Sequence, residues 1–211
     1  MNFLRSTLLL AGLLFSVTCR AEIASAPDTI HPKLNGQMVP ANVMLKQLDG
    51  QEQPLSTLIA NKPTVIVFYR GGWCPYCNAQ LAGLQKIMPQ LTELGYQVIG
   101  ISPEPASANT SKSVHRTSPP SYLQLSDQSL QAMQAFGVAY YVDDKTEQAY
   151  RQGHGIQLTY DQTARAVLPV PAVFIVDAAG LIRFNFIHIN YKVRLEPELL
   201  LQAAKLALPK P

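Results

Sequence analysis

The clearest pattern in the chain is a continuous apolar run followed by apolar residues at helical spacing. Residues 64–69 (TVIVFY) are β-branched, aromatic and without polar alternation, which predicts a strand covered on both faces, as in a parallel sheet. From Pro75 to Leu94 the apolar positions keep a helical period: Leu81, Leu84, Ile87, Met88 and Leu91. Pro75 suits a first helical turn, where its missing N–H costs nothing, whereas Pro89 is predicted to kink or break the far end.

Strands and helices alternate along the rest of the chain. Further strands are predicted at residues 43–48, 96–102, 122–125, 172–176 and 181–188, and helices at 55–61, 106–116, 130–136 and 198–208. Residues 137–168 are polar and have no clean period, so no element is predicted there. An alternation that ends in a hairpin and a helix predicts an α/β sandwich in one domain.

The first 21 residues form a separate unit. Arg5 precedes an apolar run at residues 8–15, and small residues follow, the layout of a secretory signal peptide. Cleavage is predicted after Ala21, and an alternative is that Cys19 is the lipid-modified first residue of a lipoprotein. The expected organisation is a signal peptide at 1–21, an extended arm at 22–40 and one domain at 41–211, in a periplasmic or lipid-anchored protein without a membrane span.

Composition narrows the class of partner. Of the 211 residues, 47% are hydrophobic, enough for one packed core, and the net charge of +3 contains no block of like charges. This balance argues against nucleic acid or an anionic membrane as the main partner. Removal of the signal peptide leaves Cys74 and Cys77 as the only cysteines.

These two cysteines form a CxxC motif at the junction of the predicted strand and helix. A thiol reacts as its thiolate, and the free N–H groups and dipole at a helix start favour an anion. Cys77, one turn further on, can resolve a mixed disulfide on Cys74. Trp73 is expected to cover the sulfur and Arg70 to be a nearby cation, so the motif favours redox chemistry.

Two other uses of the motif are weaker. A structural disulfide in so small a ring constrains little chain entropy. A zinc site needs about four ligands, but there is no second CxxC and the four histidines are scattered. No metal and no organic cofactor are expected, since the sulfur pair itself holds two electrons.

Two segments, FYRGGWCPYCNAQL and LPVPAVFIVDAAGLIRF, resemble the peroxiredoxin-like branch of the alkyl hydroperoxide reductase/thiol-specific antioxidant (AhpC/TSA) family. The similarity covers residues 40 to 208. It implies a thioredoxin fold with the peroxiredoxin N-terminal extension. From spacing alone, Val170-Pro171 favours an ordinary trans loop proline; the resemblance instead implies the cis-proline loop that faces the CxxC in thioredoxins.

The match to true peroxiredoxins is imperfect. Arg70 stands at their loop proline, Cys74 at their threonine or serine, and Cys77 at their peroxidatic cysteine. Their peroxide-steadying arginine, just before the late strand, is replaced by the region of Pro171. The peroxide-activating set is therefore incomplete, whereas the thioredoxin-like set of Trp73, Cys74, Cys77 and Pro171 is complete.

The favoured function is a thiol–disulfide oxidoreductase with an antioxidant role. It would take electrons from a thioredoxin-like protein dithiol and reduce disulfides or hydroperoxides, with Cys74 attacking and Cys77 resolving. The alternatives are a peroxidase proper, in which Cys77 becomes the sulfenic acid and Cys74 condenses with it, and a non-catalytic redox sensor or binding module.

Overall fold

The computed structural model describes residues 22–40, 42–107 and 122–207. Within them the strands are β1 (Met44–Gln47), β2 (Glu52–Pro54), β3 (Thr64–Phe68), β4 (Gln97–Ser102), β5 (Leu123–Ser126), β6 (Ala139–Tyr141), β7 (Thr159–Tyr160), β8 (Ala166–Pro169), β9 (Ala172–Val176) and β10 (Ile182–Ile187). The helices are α1 (Leu55–Leu58), α2 (Pro75–Glu93), α3 (Gln131–Ala135), α4 (Asp144–Gln148) and α5 (Pro197–Ala207). The predicted signal peptide and most of the helix predicted at 106–116 lie outside the described residues.

Seven strands form the main sheet, in the order β10-β9-β3-β4-β5-β1-β2. β3 pairs with β4 in parallel and with β9 antiparallel, and all five of its residues are buried. Val65 and Val67 face the α2 and α5 side of the sheet, whereas Ile66 and Phe68 pack into the opposite core. Both faces of the strand are covered, so the strand at 64–69 and the α/β sandwich are confirmed.

The helix that follows β3 continues without interruption past the proline near its far end. α2 continues through Pro89 to Glu93, so of the kink or break predicted at Pro89, the break is wrong. A proline removes one backbone hydrogen bond from a helix. Ile87, Met88 and Leu91 around it are buried in the core, and this packing holds the turn in place.

Residues 139–169, here called the roof segment, contain structure that the sequence pattern does not predict. β6, β8 and β7 form a second, three-stranded sheet in that order. Between β6 and β7 the chain forms α4 and then a wider π-helical turn at Ala149–Gly153. π-helical turns are rare and frequently occur at functional sites, and this one places Tyr150 above the start of α2.

The arm at residues 22–40 connects the two sheets. Ala24 forms an isolated bridge with Tyr140 of β6, and Met38 forms one with Leu181 beside β10. Ile23 is buried in the same core as Phe68. The arm therefore packs on the domain along its length.

The cis peptide implied for Val170-Pro171 is not found, because every peptide bond among the described residues is trans. Pro171 lies in the short link between β8 and β9, which belong to different sheets. The Val170 N–H donates to the Val138 carbonyl at 3.0 Å, and the Pro171 carbonyl accepts from His188 at 3.1 Å. These bonds hold an extended crossover that a trans peptide satisfies. Within the described ranges, no helix combines the length and apolar character needed to cross a bilayer.

Candidate active site

The loop between β3 and α2 is fixed by contacts on both sides. The Gly72 N–H donates to the Glu104 carboxylate at 2.7 Å, and the Asn78 side chain donates to the Gly72 carbonyl at 2.8 Å. Gly71 has φ +149°, and a Cβ there would lie 2.5 Å from Nε1 of Trp73 and 2.7 Å from Cδ of Glu104. Only glycine fits this close approach, so the loop holds Trp73 and the following cysteine in one position.

Cys74 and Cys77 occupy two different environments. Cys74 is the N-cap residue of α2, with φ −88° and ψ 114°, and Cys77 lies one turn inside the helix. Both are free thiols, exposing 1% and 0% of their surfaces. Hydrogen bonding from the Cys77 side chain, helped by the Cys77 backbone N–H and by the charges of Arg70 and Arg194, lowers the pKa of Cys74 from 9.0 to about 6. Burial raises the pKa of Cys77 well above 9.0.

Arg194 approaches both sulfurs from the loop after β10. Its Nη2 lies 3.3 Å from Sγ of Cys77 and 3.9 Å from Sγ of Cys74. The same Nη2 donates to the Tyr191 carbonyl at 2.7 Å, and Nη1 donates to Oε1 of Gln80 at 3.1 Å. The guanidinium is therefore anchored both to its own loop and to α2, with its charge against the thiol pair.

Arg70 supplies a second cation, which is buried and held by aromatic rings. Its Cζ lies 4.4 Å from the ring centroid of Tyr191, 4.9 Å from Trp73 and 5.1 Å from Tyr150. Its Nη2 also donates to the Tyr150 hydroxyl at 2.5 Å. Cation–π contacts of this kind stabilise a desolvated guanidinium, so Arg70 keeps its charge near Cys74 in a water-poor place.

A cavity of about 340 Å³ opens in front of Cys74. Most of its wall is aromatic or apolar, and its lining comprises Arg70, Trp73, Cys74, Pro75, Tyr76, Tyr150, His154, Ile156 and Tyr191. Cys77 is not part of the lining and lies behind Cys74. A small molecule in the cavity therefore meets the thiol with the lowered pKa first.

The structure brings together five of the six site residues named from the sequence. Arg70, Trp73, Cys74 and Pro75 line the cavity, and Cys77 contacts the same arginine as Cys74. Pro171 is the exception, since it is not among the lining residues and joins β8 to β9.

Sequence reasoning missed three important members of the site: Arg194, Tyr150 and Tyr191. Arg194 lies 117 positions from Cys77 in a loop without periodic pattern, and Tyr150 lies in the unpredicted roof segment. No local signal in the sequence identifies them. Across the described residues, no three His, Cys, Asp or Glu side chains are grouped closely enough to hold a metal ion.

The sheet order, the dithiol at the start of α2 and the late β9–β10 hairpin define a thioredoxin-fold protein with a CxxC site. Residues 35–185 match the model of the AhpC/TSA family. The chain therefore belongs to the AhpC/TSA family, and the predicted family and fold are both confirmed.

Among curated proteins, the chain is 31% identical over 101 residues to a chloroplastic peroxiredoxin Q of Populus jackii, covering 46% of this chain and 47% of that protein. It is 36% identical over 61 residues to a prostamide/prostaglandin F synthase of Salmo salar, covering 29% and 30%. The matched regions thus span about a third to a half of these two relatives.

Solved structures show the same fold at low identity. One is reduced Prx3 of Vibrio vulnificus in complex with H₂O₂, with TM-score 0.65 and 19% identity over 82% of this chain and 99% of that one. Another is the peroxidoxin BcpB of Mycobacterium tuberculosis, with TM-score 0.62 and 17% identity over 83% and 98%.

Proposed function

We propose that this chain is a thiol-dependent peroxidase that reduces small hydroperoxides, with Cys74 as the attacking thiol and Cys77 as the resolving thiol. The observation that carries the proposal is the position of Cys74, a thiol with a pKa of about 6 in the wall of a cavity of about 340 Å³. Peroxidase chemistry needs a thiolate at neutral pH, and Cys74 meets that need.

Access to Cys74 favours a small substrate. Only 1% of the residue is exposed to solvent, so a reactant must enter the cavity to reach the sulfur. A hydroperoxide with a modest organic group fits a space of this size. The aromatic wall favours organic hydroperoxides over the much smaller hydrogen peroxide.

The proposed cycle balances with one external dithiol. The Cys74 thiolate attacks the terminal oxygen of the hydroperoxide and the O–O bond breaks, with Cys74 becoming a sulfenic acid. The departing alkoxide takes up one proton, equivalent to the one that Cys74 lost on ionising, and leaves as the alcohol. The Cys77 thiol then displaces the hydroxyl as water and forms the Cys74–Cys77 disulfide. A protein dithiol of the thioredoxin kind reduces that disulfide and is itself oxidised.

The two single serine variants test the assignment. Cys74→Ser is expected to lose hydroperoxide consumption by at least about 10³-fold, as when a nucleophile is removed. Cys77→Ser is expected to consume one equivalent and to accumulate a sulfenic acid on residue 74, because nothing resolves it. Trp73 is the only tryptophan in the chain and lies beside Cys74, so its fluorescence should report the oxidation step, with dimedone trapping and mass spectrometry locating the modified sulfur.

The opposite pattern would reverse the roles. A sulfenic acid on residue 77 in Cys74→Ser, with no oxidation in Cys77→Ser, would establish the arrangement implied by alignment with true peroxiredoxins. No consumption of any hydroperoxide by the unaltered protein, despite a reversible disulfide, would contradict the peroxidase proposal.

Disulfide reduction is the second candidate, and one observation favours it. Exposed apolar side chains flank the site on the cavity rim and the Arg194 loop: Tyr76 (38% exposed), Ile189 (54%) and Val193 (37%). Apolar surface of this kind suits a protein partner. Insulin reduction faster than hydroperoxide reduction at equal donor concentration would favour this function over the first.

We also propose export to the periplasm, on the basis of the signal-like segment at residues 1–21. Mass spectrometry of the protein expressed with this segment in a Gram-negative host should give a mature chain that begins at Glu22. A lipid-modified chain beginning at Cys19 would establish the anchored alternative, and an intact Met1 would contradict both.

A further inference from the structure

Arg194 is placed differently toward the two sulfurs. Its Nη2 is nearer to Cys77, at 3.3 Å, than to Cys74, at 3.9 Å. Gln80, whose Oε1 accepts a hydrogen bond from Nη1 of Arg194, lies one helical turn beyond Cys77 on α2. The guanidinium is thus held on the inner side of the dithiol, away from the cavity that Cys74 lines. It is not itself among the cavity-lining residues.

When the oxidised protein is reduced, Cys77, the inner sulfur of the disulfide, is the leaving group. Because Cys74 lines the cavity and Cys77 lies behind it, a donor thiolate reaches the disulfide at Cys74. Cys77 must then leave as a thiolate in a fully buried position. Burial raises the pKa of the Cys77 thiol, and thiols of higher pKa leave more slowly. Some group must therefore stabilise this developing anion.

We propose that Arg194 is a catalytic residue of the recycling step, in which it stabilises the departing Cys77 thiolate. The inference rests on the proposed function only in taking the Cys74–Cys77 disulfide as an intermediate. The donor thiolate forms a bond to Sγ of Cys74, the Sγ–Sγ bond breaks, and its electron pair goes to Sγ of Cys77 beside Nη2. The second donor thiol then displaces Cys74, which yields the oxidised donor and the reduced pair.

If Arg194 stabilises the departing Cys77 thiolate, its loss should slow reduction of the disulfide far more than alkylation of Cys74. In Arg194→Gln, reduction of the disulfide by dithiothreitol should slow by about 10²-fold, the cost of removing one preorganised donor to a developing anion. Alkylation of Cys74 in the reduced protein, measured well above pH 6, should slow by less than about threefold, because the helix start and Arg70 still favour its thiolate. The variant should also have a more negative reduction potential, since its reduced state loses a cation beside the thiolate–thiol pair.

The disulfide for this experiment is formed with diamide and followed by acid quenching, alkylation and mass spectrometry. Because no peroxide is involved, the result can be interpreted even if the protein does not reduce hydroperoxides. Arg194→Lys keeps the positive charge and should recover part of the reduction rate, which separates the charge from the packing of the loop. Lys192→Gln removes an exposed cation from the same loop and should leave both rates unchanged.

Three results would overturn the assignment. Disulfide reduction at the normal rate in Arg194→Gln is one. Equal slowing of reduction and of Cys74 alkylation is another, because Arg194 would then act only through the ionisation of Cys74. An equal loss of reduction rate in Arg194→Lys and Arg194→Gln, with both proteins folded by circular dichroism, would indicate a packing role.

Discussion

The strand–loop–helix segment at residues 64–93 and the roof segment at residues 139–169 contribute to one cavity in different ways. The first carries both reacting sulfurs, and its loop has no room for a single added carbon at Gly71. The second contributes Tyr150, His154 and Ile156 to the cavity wall but no thiol. Chemistry and access are therefore built by separate parts of the chain: one carries the thiols, and the other adds part of the cavity wall.

The two segments also differ in burial and in the contacts that hold them. β3 lies in the middle of the seven-stranded sheet, buried on both faces. In the roof segment β8 is buried, but the π-helical turn that faces the cavity has no buried residue. From this turn Tyr150 contacts Arg70 and Trp73. A change in the first segment should disturb the chemistry, whereas a change in the second should alter entry.

Between these two segments, with both cysteines left in place, the largest expected effect comes from Gly71→Ala. The added Cβ would overlap Trp73 and Glu104, and displacement of the loop would move Cys74 from its place at the helix start. A misplacement of about 1 Å can cost about 10²-fold in rate, so hydroperoxide reduction should fall by about that factor.

Gly153→Ala in the roof segment is the matched control. A Cβ at Gly153 meets nothing within 4 Å, so steady-state rate and melting temperature should both stay near those of the unaltered protein. Equal damage from the two alanine variants would contradict the contrast between a tightly packed segment and an open one.

Tyr150→Ala should have an intermediate effect, on access. Loss of the ring that packs on Trp73 at 5.3 Å should speed labelling of Cys74 by a bulky maleimide about tenfold, the effect of an access barrier lowered by about 1.4 kcal/mol. Labelling by small iodoacetamide should change much less. Tyr150→Phe retains the ring and should leave the ratio of the two labelling rates unchanged; a ratio unaffected by Tyr150→Ala would show that the roof does not limit entry.

The smallest expected effect is on stability against pH. The pKa of Cys74 is about 6 in the folded protein, below its ordinary value of 9.0, so ionisation of this thiol stabilises the fold fully above pH 9 and the benefit is lost as pH falls through 6. The melting temperature of the reduced protein, minus that of Cys74→Ser, should therefore rise by a few degrees from pH 6 to pH 9. A flat difference across this window would contradict the lowered pKa.

The same two segments show how much of the fold and of the site the sequence alone predicts. β3 and α2 are long, strongly patterned elements, and the start of the helix is marked by two glycines and Pro75. Their positions and the CxxC site follow from local pattern. β1, β4, β5, β9 and β10 also agree with predicted strands, because each pairs within the main sheet and carries buried apolar residues.

The remainder depends on tertiary structure. β7 has two residues, neither buried, and so leaves no period to detect. Arg194 becomes part of the site only through a fold that brings a loop 117 positions away to Cys77. Pro89 remains inside a helix, and Pro171 remains trans, because surrounding packing and hydrogen bonds outweigh the local preference of each proline.

The central claim is that Cys74 is the ionised, reachable thiol and Cys77 the protonated, shielded one. The most direct test measures the pH dependence of iodoacetamide labelling at each cysteine of the reduced protein, resolved by peptide mass spectrometry. We expect the labelling rate of Cys74 to have its midpoint near pH 6 and Cys77 to be almost unlabelled below pH 9. Faster labelling of Cys77, or alkaline midpoints at both positions, would contradict it.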